Sequence, residues 1–465
     1  MLAVIAGSAF KANAQQVITL QKAVDLTLQN NLNIKQSQLT ESLAAEDVKQ
    51  AQYNMLPNLI ANPSGGYYFG KSQVQGAFAY ASSTLNINGS AQAQVTIFQG
   101  GQLKNQILAN KLILEVDKSS TAKLKNDLLL NVVTDYLQIL TNQDLVTAAQ
   151  QQIEIAHITL DRAQKNFDAG TQSLADLSQA KAGVSTAELN LTNAQNQLDL
   201  TVLVLKQYME MDPATEIKVE RPDISKLTDV KTAYDANEVI KTAIGVNPDI
   251  KLAQAQEQTY AQQIKIAQGN YYPSLALFGG IGSGYSNQAK TVTGGTLAGI
   301  DTLGTVSGTG QFVTAPQINP VLTPISFSKQ LSNNFYQSIG LSLQIPIFNH
   351  YTARTSVRKA KLSYENAQIT TQLAKVTLSK TITQAVLDLN AAVKRYASAE
   401  QTYAADKDAF NVIQERYNVG LVNSLDYNTS LTNYNKAQFD MIQSRYEVVF
   451  RSKVIDYYLG YQITL

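Results

Sequence analysis

The feature that most constrains this chain is that its sequence is written twice. Ala23 to Leu59 aligns with Val239 to Leu275 without a gap at a shift of 216, pairing Asn31 with Asn247, Ile34 and Lys35 with Ile250 and Lys251, and Pro57 with Pro273. Further along the shift becomes 250. There Gln94 to Phe98 pairs with Gln344 to Phe348, Phe167-Asp168-Ala169-Gly170 with Tyr417-Asn418-Val419-Gly420, Asp176 with Asp426, and Tyr208 with Tyr458. A repeat of this length marks one structural unit per half. The step from 216 to 250 places an insertion of 34 residues in the second half, between positions 275 and 344.

Within each half the hydrophobic period changes. Leu174, Leu177, Val184, Ala187, Leu191, Ala194, Leu198, Leu205 and Tyr208 keep heptad spacing, as do Val357, Ala360, Tyr364, Ala367, Thr371, Ala374 and Leu378. Such seams pack long helices against each other. No proline occurs between Gly100 and Asp212, or after Ile347, so nothing interrupts them. Two windows instead alternate with period two: Leu85 to Ile97 and Phe335 to Ile347. These read as strands with one apolar and one polar face. Weaker Gly/Tyr/Phe-rich segments, Tyr67 to Tyr80 and Leu275 to Tyr285, are candidate hairpin partners. Ser286 to Ser332, rich in Gly, Thr and Ser, reads as a mobile loop carrying the insertion.

The expected order is a partial signal peptide at 1–14, a first repeat at 15–210, an equatorial linker at 211–234 and a second repeat at 235–465. The first repeat carries helix 19–56, strands at about 63–98 and a long helical hairpin with its tip at 169–171; the second carries helix 235–271, strands at about 273–286 and 333–349 joined by loop 286–332, and a hairpin with its tip at 419–421. The signal rests on the apolar run Leu2 to Phe10 followed by Ala12-Asn13-Ala14, an A-x-A cleavage pattern, although no positively charged segment precedes it. No later stretch reaches the ~20 apolar residues of a transmembrane helix, so membrane insertion would require a β-barrel.

Composition removes several function classes. The 465 residues include 16% charged side chains at a net charge of +1, which offers nothing to a polyanion, so no nucleic acid is expected. There are no cysteines, hence no thiol chemistry and no disulfides. His157 and His350 have no ligand spacing around them and read as ordinary surface or boundary residues. With no phosphate-binding glycine loop and no Ser/His/Asp arrangement, the chain is not expected to be an enzyme, and no cofactor or metal is implied.

The fold class that follows is mainly α with a β-barrel part. Four strands per chain cannot close a barrel, for which about eight is the minimum. A homotrimer would supply twelve. Residues 101–168 would span on the order of 100 Å as a helix, and the return helices 172–210 and 422–460 roughly 58 Å. These coiled coils would form an α-barrel.

At this point the sequence resembles the TolC-like family of outer-membrane efflux proteins over nearly its whole length. The likeness rests on the two-fold repeat, on Val95-Thr96-Ile97-Phe98-Gln99-Gly100-Gly101, and on the paired turns Phe167-x-x-Gly170 and Tyr417-x-x-Gly420. It implies a passive duct in the cell outer membrane whose helical tunnel extends into the periplasm. Its partners would be a periplasmic adaptor and an inner-membrane efflux pump or ABC exporter. The adaptor would dock on Ala169, Gly170 and Thr171 and on Val419, Gly420 and Leu421. By the same resemblance Asp426 lines the periplasmic gate, Asp176 helps hold the closed state, and Tyr417 latches neighbouring helix pairs. Two positions depart from the family pattern: Val422 stands where a basic residue is expected and Thr429 where a second acid is expected. The alternative readings are a soluble periplasmic coiled-coil scaffold, which leaves the alternating windows unexplained, and a solute porin, which needs more strands.

Overall fold

The computed structural model describes residues 16–74, 77–221 and 231–461. The segment read as a signal peptide, 1–14, and linker positions 222–230 lie outside them. Two compact units emerge, one from Met1–Glu46, Lys111–Tyr260 and Leu362–Leu465, the other from Asp47–Asn110 and Ala261–Lys361.

The first unit is helical. The two longest helices, α3 (Gln102–Asp168) and α8 (Thr352–Asn418), contain 67 residues each and contribute to both units. Their partners α4 (Leu174–Tyr208) and α9 (Ser424–Leu459) contain 35 and 36. The helix expected at 19–56 is broken into α1 (Leu20–Asn30) and α2 (Leu32–Tyr53), and that at 235–271 into α5 (Ala236–Val246), α6 (Pro248–Gln268) and a short 3-10 turn. The cause is the same residue type in both repeats. Asn31 and Asn247 are buried and leave helical geometry at ψ 126° and 127°, and their side-chain oxygens accept the N–H of Asn33 and Asp249. An asparagine that satisfies the first amides of the next helix is an N-cap, which ends one helix and starts another.

The linker is anchored rather than loose over its described part. Its strand β4 (Ile217–Val219) pairs in parallel with β1 (Gln16–Ile18). Tyr136 of α3 lies beneath them, with its hydroxyl 2.7 Å from the Glu220 carbonyl and 3.3 Å from that of Ile18. Around it Val132, Val133, Ile139, Leu140, Leu205 and Met209 form the largest apolar core.

The second unit holds a four-stranded antiparallel sheet in the order β2 (Asn58–Val74), β3 (Ala77–Gln99), β5 (Ser274–Ser286), β8 (Tyr336–Gln344). The first hairpin begins at Asn58, directly after Pro57, and the window Tyr67 to Tyr80 is divided between β2 and β3 rather than forming one strand. Alternation gives the sheet two unlike faces. Leu59, Ile87, Val95, Leu277, Ile281, Ile339, Leu341 and Leu343 lie on one; Asn62, Ser64, Asn88, Ser90, Gln92, Gln94, Ser338 and Ser342 lie on the other. The apolar face is uncovered, with Ile339 83% and Leu341 64% exposed. No helix among the described residues is long and apolar enough to cross a membrane.

The segment read as a mobile loop, 286–332, is a second hairpin and a helix: β6 (Lys290–Thr305), β7 (Phe312–Pro324) and α7 (Phe327–Asn333). Its glycines hid the strands, because glycine signals a loop in sequence. Here three register shifts on β6 involve Gly294, Gly299 and Gly304, positions where a bulge tolerates an extra residue. The threonine and valine content favours strand. Pro316, Pro320 and Pro324 sit at every fourth position of β7. Since the Ile325 N–H bonds to Ala289 on the β6 side, these even-numbered residues face the other edge, where proline removes donors without breaking the ladder. Beyond the end of β8, α7 takes over the edge of β5. The buried Gln330 amide accepts the Ser286 N–H at 2.8 Å and donates to the Ser286 carbonyl at 2.9 Å, substituting for a strand.

Candidate functional site at the helical turns

Each long helical pair closes in the same way. In the first turn Gly170 adopts φ +73° and the Thr171 N–H bonds to the Asn166 carbonyl; in the second Gly420 adopts φ +77° and the Leu421 N–H bonds to the Arg416 carbonyl. Only glycine takes this backbone conformation without strain, and it ends the helix so that the chain can reverse. The next helix starts on a cap. Ser173 accepts the Asp176 N–H while the Asp176 carboxylate accepts the Ser173 N–H, a capping box; Asn423 accepts the Asp426 N–H. Both acids therefore occupy the first turn of a helix, where a negative charge meets the positive end of the helix dipole.

Beyond this shared geometry the two turns differ. Ser424 donates to the Asp176 carboxylate, tying the start of α9 to the start of α4. That bond, with the hydrogen bonds from Ser173, holds the Asp176 carboxyl below the usual carboxylate range. Close by, Gln172 donates to the Tyr417 hydroxyl at 3.3 Å, Arg162 donates to Asn418, and the hydroxyls of Thr159 and Tyr427 meet at 3.1 Å. The structure thus brings Asp176 and Tyr417, both singled out from sequence, into one set of cross-links between the hairpins of the two repeats. Asp426 is exposed and its carboxylate has no hydrogen bond among the described residues. Ala169, Gly170, Thr171, Val419, Gly420 and Leu421 are all exposed, Val419 and Leu421 at 70% each. Thr429 is exposed and donates to the Leu425 carbonyl, and Val422 is half-buried.

Sequence reading missed the aromatic ladder behind the second turn. Tyr403, Phe410 and Tyr417 recur every seventh residue on α8, and Tyr427 and Tyr434 do so on α9. Their rings interleave: Tyr417 stacks on Tyr427 at 4.5 Å, Phe410 on Tyr434 at 5.3 Å, and Tyr403 on Tyr434 at 5.8 Å. A shift of 250 puts Ile153, Leu160, Phe167, Leu177 and Val184 at the corresponding places of the first repeat, a mostly aliphatic seam. Tyrosine adds a polar tip to an apolar body, so the second seam bonds sideways as well as packing. The seven-residue spacing of aromatics was the available signal.

A second feature missed from sequence ties the linker to the helices. One oxygen of the Asp144 carboxylate binds Arg221, and the other lies 2.5 Å from Arg445 and 3.0 Å from the Tyr446 hydroxyl. Burial, then the Asp144 charge, pushes Tyr446 up to about 12. Nothing at either end resembles a metal centre: among the described residues no cluster of three His, Asp or Glu side chains could hold an ion. His157 is exposed on α3, and His350 sits in the turn before α8 at φ +53°.

Residues 23–209 and 239–460 match the family described as outer membrane efflux protein, the two segments starting at paired positions of the internal repeat. The chain is 23% identical to outer membrane protein TolC of Escherichia coli over 93% of its own length and 80% of that protein. To toxin and drug export protein A of Aggregatibacter actinomycetemcomitans it is 20% identical, over 92% and 83%. Among solved structures, the Campylobacter jejuni CmeC outer membrane channel superposes with a TM-score of 0.75 at 18% identity, covering 95% of this chain and 85% of that one. The Neisseria gonorrhoeae MtrE outer membrane channel, in its open state, gives 0.65 at 17% identity, covering 95% and 89%. With both halves of the repeat matched, the chain belongs to the outer membrane efflux protein family, TolC-like efflux channels of the cell outer membrane.

Proposed function

We propose that three copies of this chain form a passive export duct. Their sheets close a twelve-stranded barrel in outer-membrane lipid, and their helices carry cargo from a periplasmic adaptor and an inner-membrane pump or ABC exporter to the cell exterior. The observation that carries this reading is the sheet β2-β3-β5-β8, with its uncovered apolar face, its polar opposite face and its two open edges. In lipid each unpaired backbone group costs several kcal/mol, so an open four-stranded sheet cannot persist there alone. Closing it with two further copies satisfies both edges and turns the polar face inward to water. The two glycine turns are the adaptor's docking surface in this reading, supported by Leu174, Val419, Leu421 and Leu425, apolar side chains that stand 63–70% exposed around them. The links through Asp176 and Tyr417 hold neighbouring hairpins together, and Asp426 lines the entrance. Native mass spectrometry of the protein extracted from outer membranes is expected to show trimers. A membrane-inserted folded monomer as the main species would overturn the proposal.

A further inference from the structure

The inserted hairpin β6-β7 has two unlike faces. Its register sets Val292 opposite Leu322, Leu297 opposite Ile318 and Ile300 opposite Pro316. Alternation along β7 puts these pairs on one face, together with Pro320 and Phe312. From Val292 to Ile300 and from Pro316 to Leu322 that face has no polar side chain. The opposite face holds Thr296, Asp301, Gln317, Asn319 and Thr323, and its only large apolar members among the paired residues are Val313 and Val321. On the apolar side Ile318 lies over Gly295, where a Cβ would stand 2.1 Å from its Cγ2. Val292, Leu297, Ile300, Phe312, Ile318 and Leu322 nonetheless remain 52–72% exposed. A two-stranded ribbon is marginally stable in water, and an apolar face of this length needs a cover.

We propose that this face packs against the same face of the hairpins of the two other copies, closing the exterior mouth of the duct. The proposal rests on the trimeric reading above. Lipid is a poor cover, because a membrane strand needs about 9–11 residues and the 13 of β5 supply them before β6 begins. A free partner is disfavoured by area. The 13 residues of β7 at about 3.3 Å each, on a ribbon some 10 Å wide, give roughly 400 Å², half of the ~800 Å² per side of a stable complex. Such a face is sufficient only for a partner already held beside it at high effective concentration. In a trimer the other two hairpins are held in that way. Twelve strands about 4.8 Å apart and tilted about 40° enclose a radius of about 12 Å, whereas the ribbon is about 43 Å long, so each hairpin can reach the axis. Charge does not oppose the meeting, since Lys290 and Asp301 are the only charged residues of β6 and β7 and Asp301 lies on the other face. The prolines of β7 favour contact by faces over pairing along that edge.

The chain has no cysteine, so a single introduced thiol reports on its own position. The test is Leu297→Cys in the full chain, treated in outer membranes with a short bis-maleimide and run denatured. Two of three thiols around an axis can be joined, so a covalent dimer is expected. It should form at least about tenfold faster than with Thr296→Cys, whose side chain points to the opposite face. Without the cross-linker, a bulky maleimide on intact cells should label Leu297→Cys at least about tenfold more slowly than Thr296→Cys. Ile318→Cys repeats both measurements on β7 in case the first substitution impairs the hairpin. In an intact trimer, protection without bridging would put another molecule on this face, and neither protection nor bridging would leave it bare; either result overturns the proposal. Absence of any trimer would overturn the assembly itself.

Discussion

Asp144 and Asp135, both on α3, show opposite outcomes for a carboxylate removed from water. Asp144 is enclosed by Arg221, Arg445 and the Tyr446 hydroxyl, so its charge has partners on the linker and on α9. Asp135 has a buried oxygen, Oδ2, without a partner, and burial pushes its carboxyl up to about 6. A group whose pKa rises on folding stabilises the fold while protonated. That contribution is complete below the unfolded value of about 4 and is lost as pH climbs through 6. The ionised form at pH 8 would cost roughly 3 kcal/mol if wholly desolvated, and about half that or less at a side chain still half open to water. Asp135→Asn is therefore expected to raise the Tm by a few degrees at pH 8 and to give no gain at pH 4. An equal shift at both values would mean that the charge is not the cause. Neither arrangement was legible in the sequence, because the partners of Asp144 lie 77 and 301 residues away along the chain.

Elements were legible in proportion to how local their determinants are. The ends of α3 and α8 follow from Gly170 and Gly420 and from the absence of proline, signals contained in a few neighbouring residues. The breaks at Asn31 and Asn247 needed knowledge that these side chains cap the helix that follows, and the heptad pattern alone runs through them. The hairpin β6-β7 was obscured further, since bulges at its glycines disturb the alternation by which strands are recognised. Its location nonetheless matches the insertion deduced from the change in shift. The hairpin joins two strands whose other ends lead to the long helices, so in the proposed membrane topology it faces the exterior. Gly294 and Gly295 are paired in β6, and an epitope is better placed in the turn at Gly308 to Gly310, which has open space around both glycines. Antibody should reach it on intact cells; labelling only after permeabilisation would contradict the topology.

Taken as a whole molecule, the repeats differ in their links at the helical turns as well as by the inserted hairpin β6-β7. In an assembled trimer three copies of Asp426 would surround one axis, and such a ring attracts divalent cations. Conductance in planar bilayers is expected to fall when a divalent cation is added on the periplasmic side, and Asp426→Asn should relieve most of that block without dispersing the trimer. Ser424→Ala removes the donor to Asp176 and should instead raise the open fraction while leaving the block intact. An unchanged cation response in Asp426→Asn would reduce this acid to a helix-capping charge. The hairpin β6-β7, exterior in the proposed topology, carries a different consequence. Because Pro316, Pro320 and Pro324 remove every second N–H donor from the outward edge of β7, another strand cannot pair along that edge without leaving acceptors unmatched. A macromolecule that settles on this hairpin must therefore recognise it largely by its side chains, which leaves its surface free to change sequence without losing its shape.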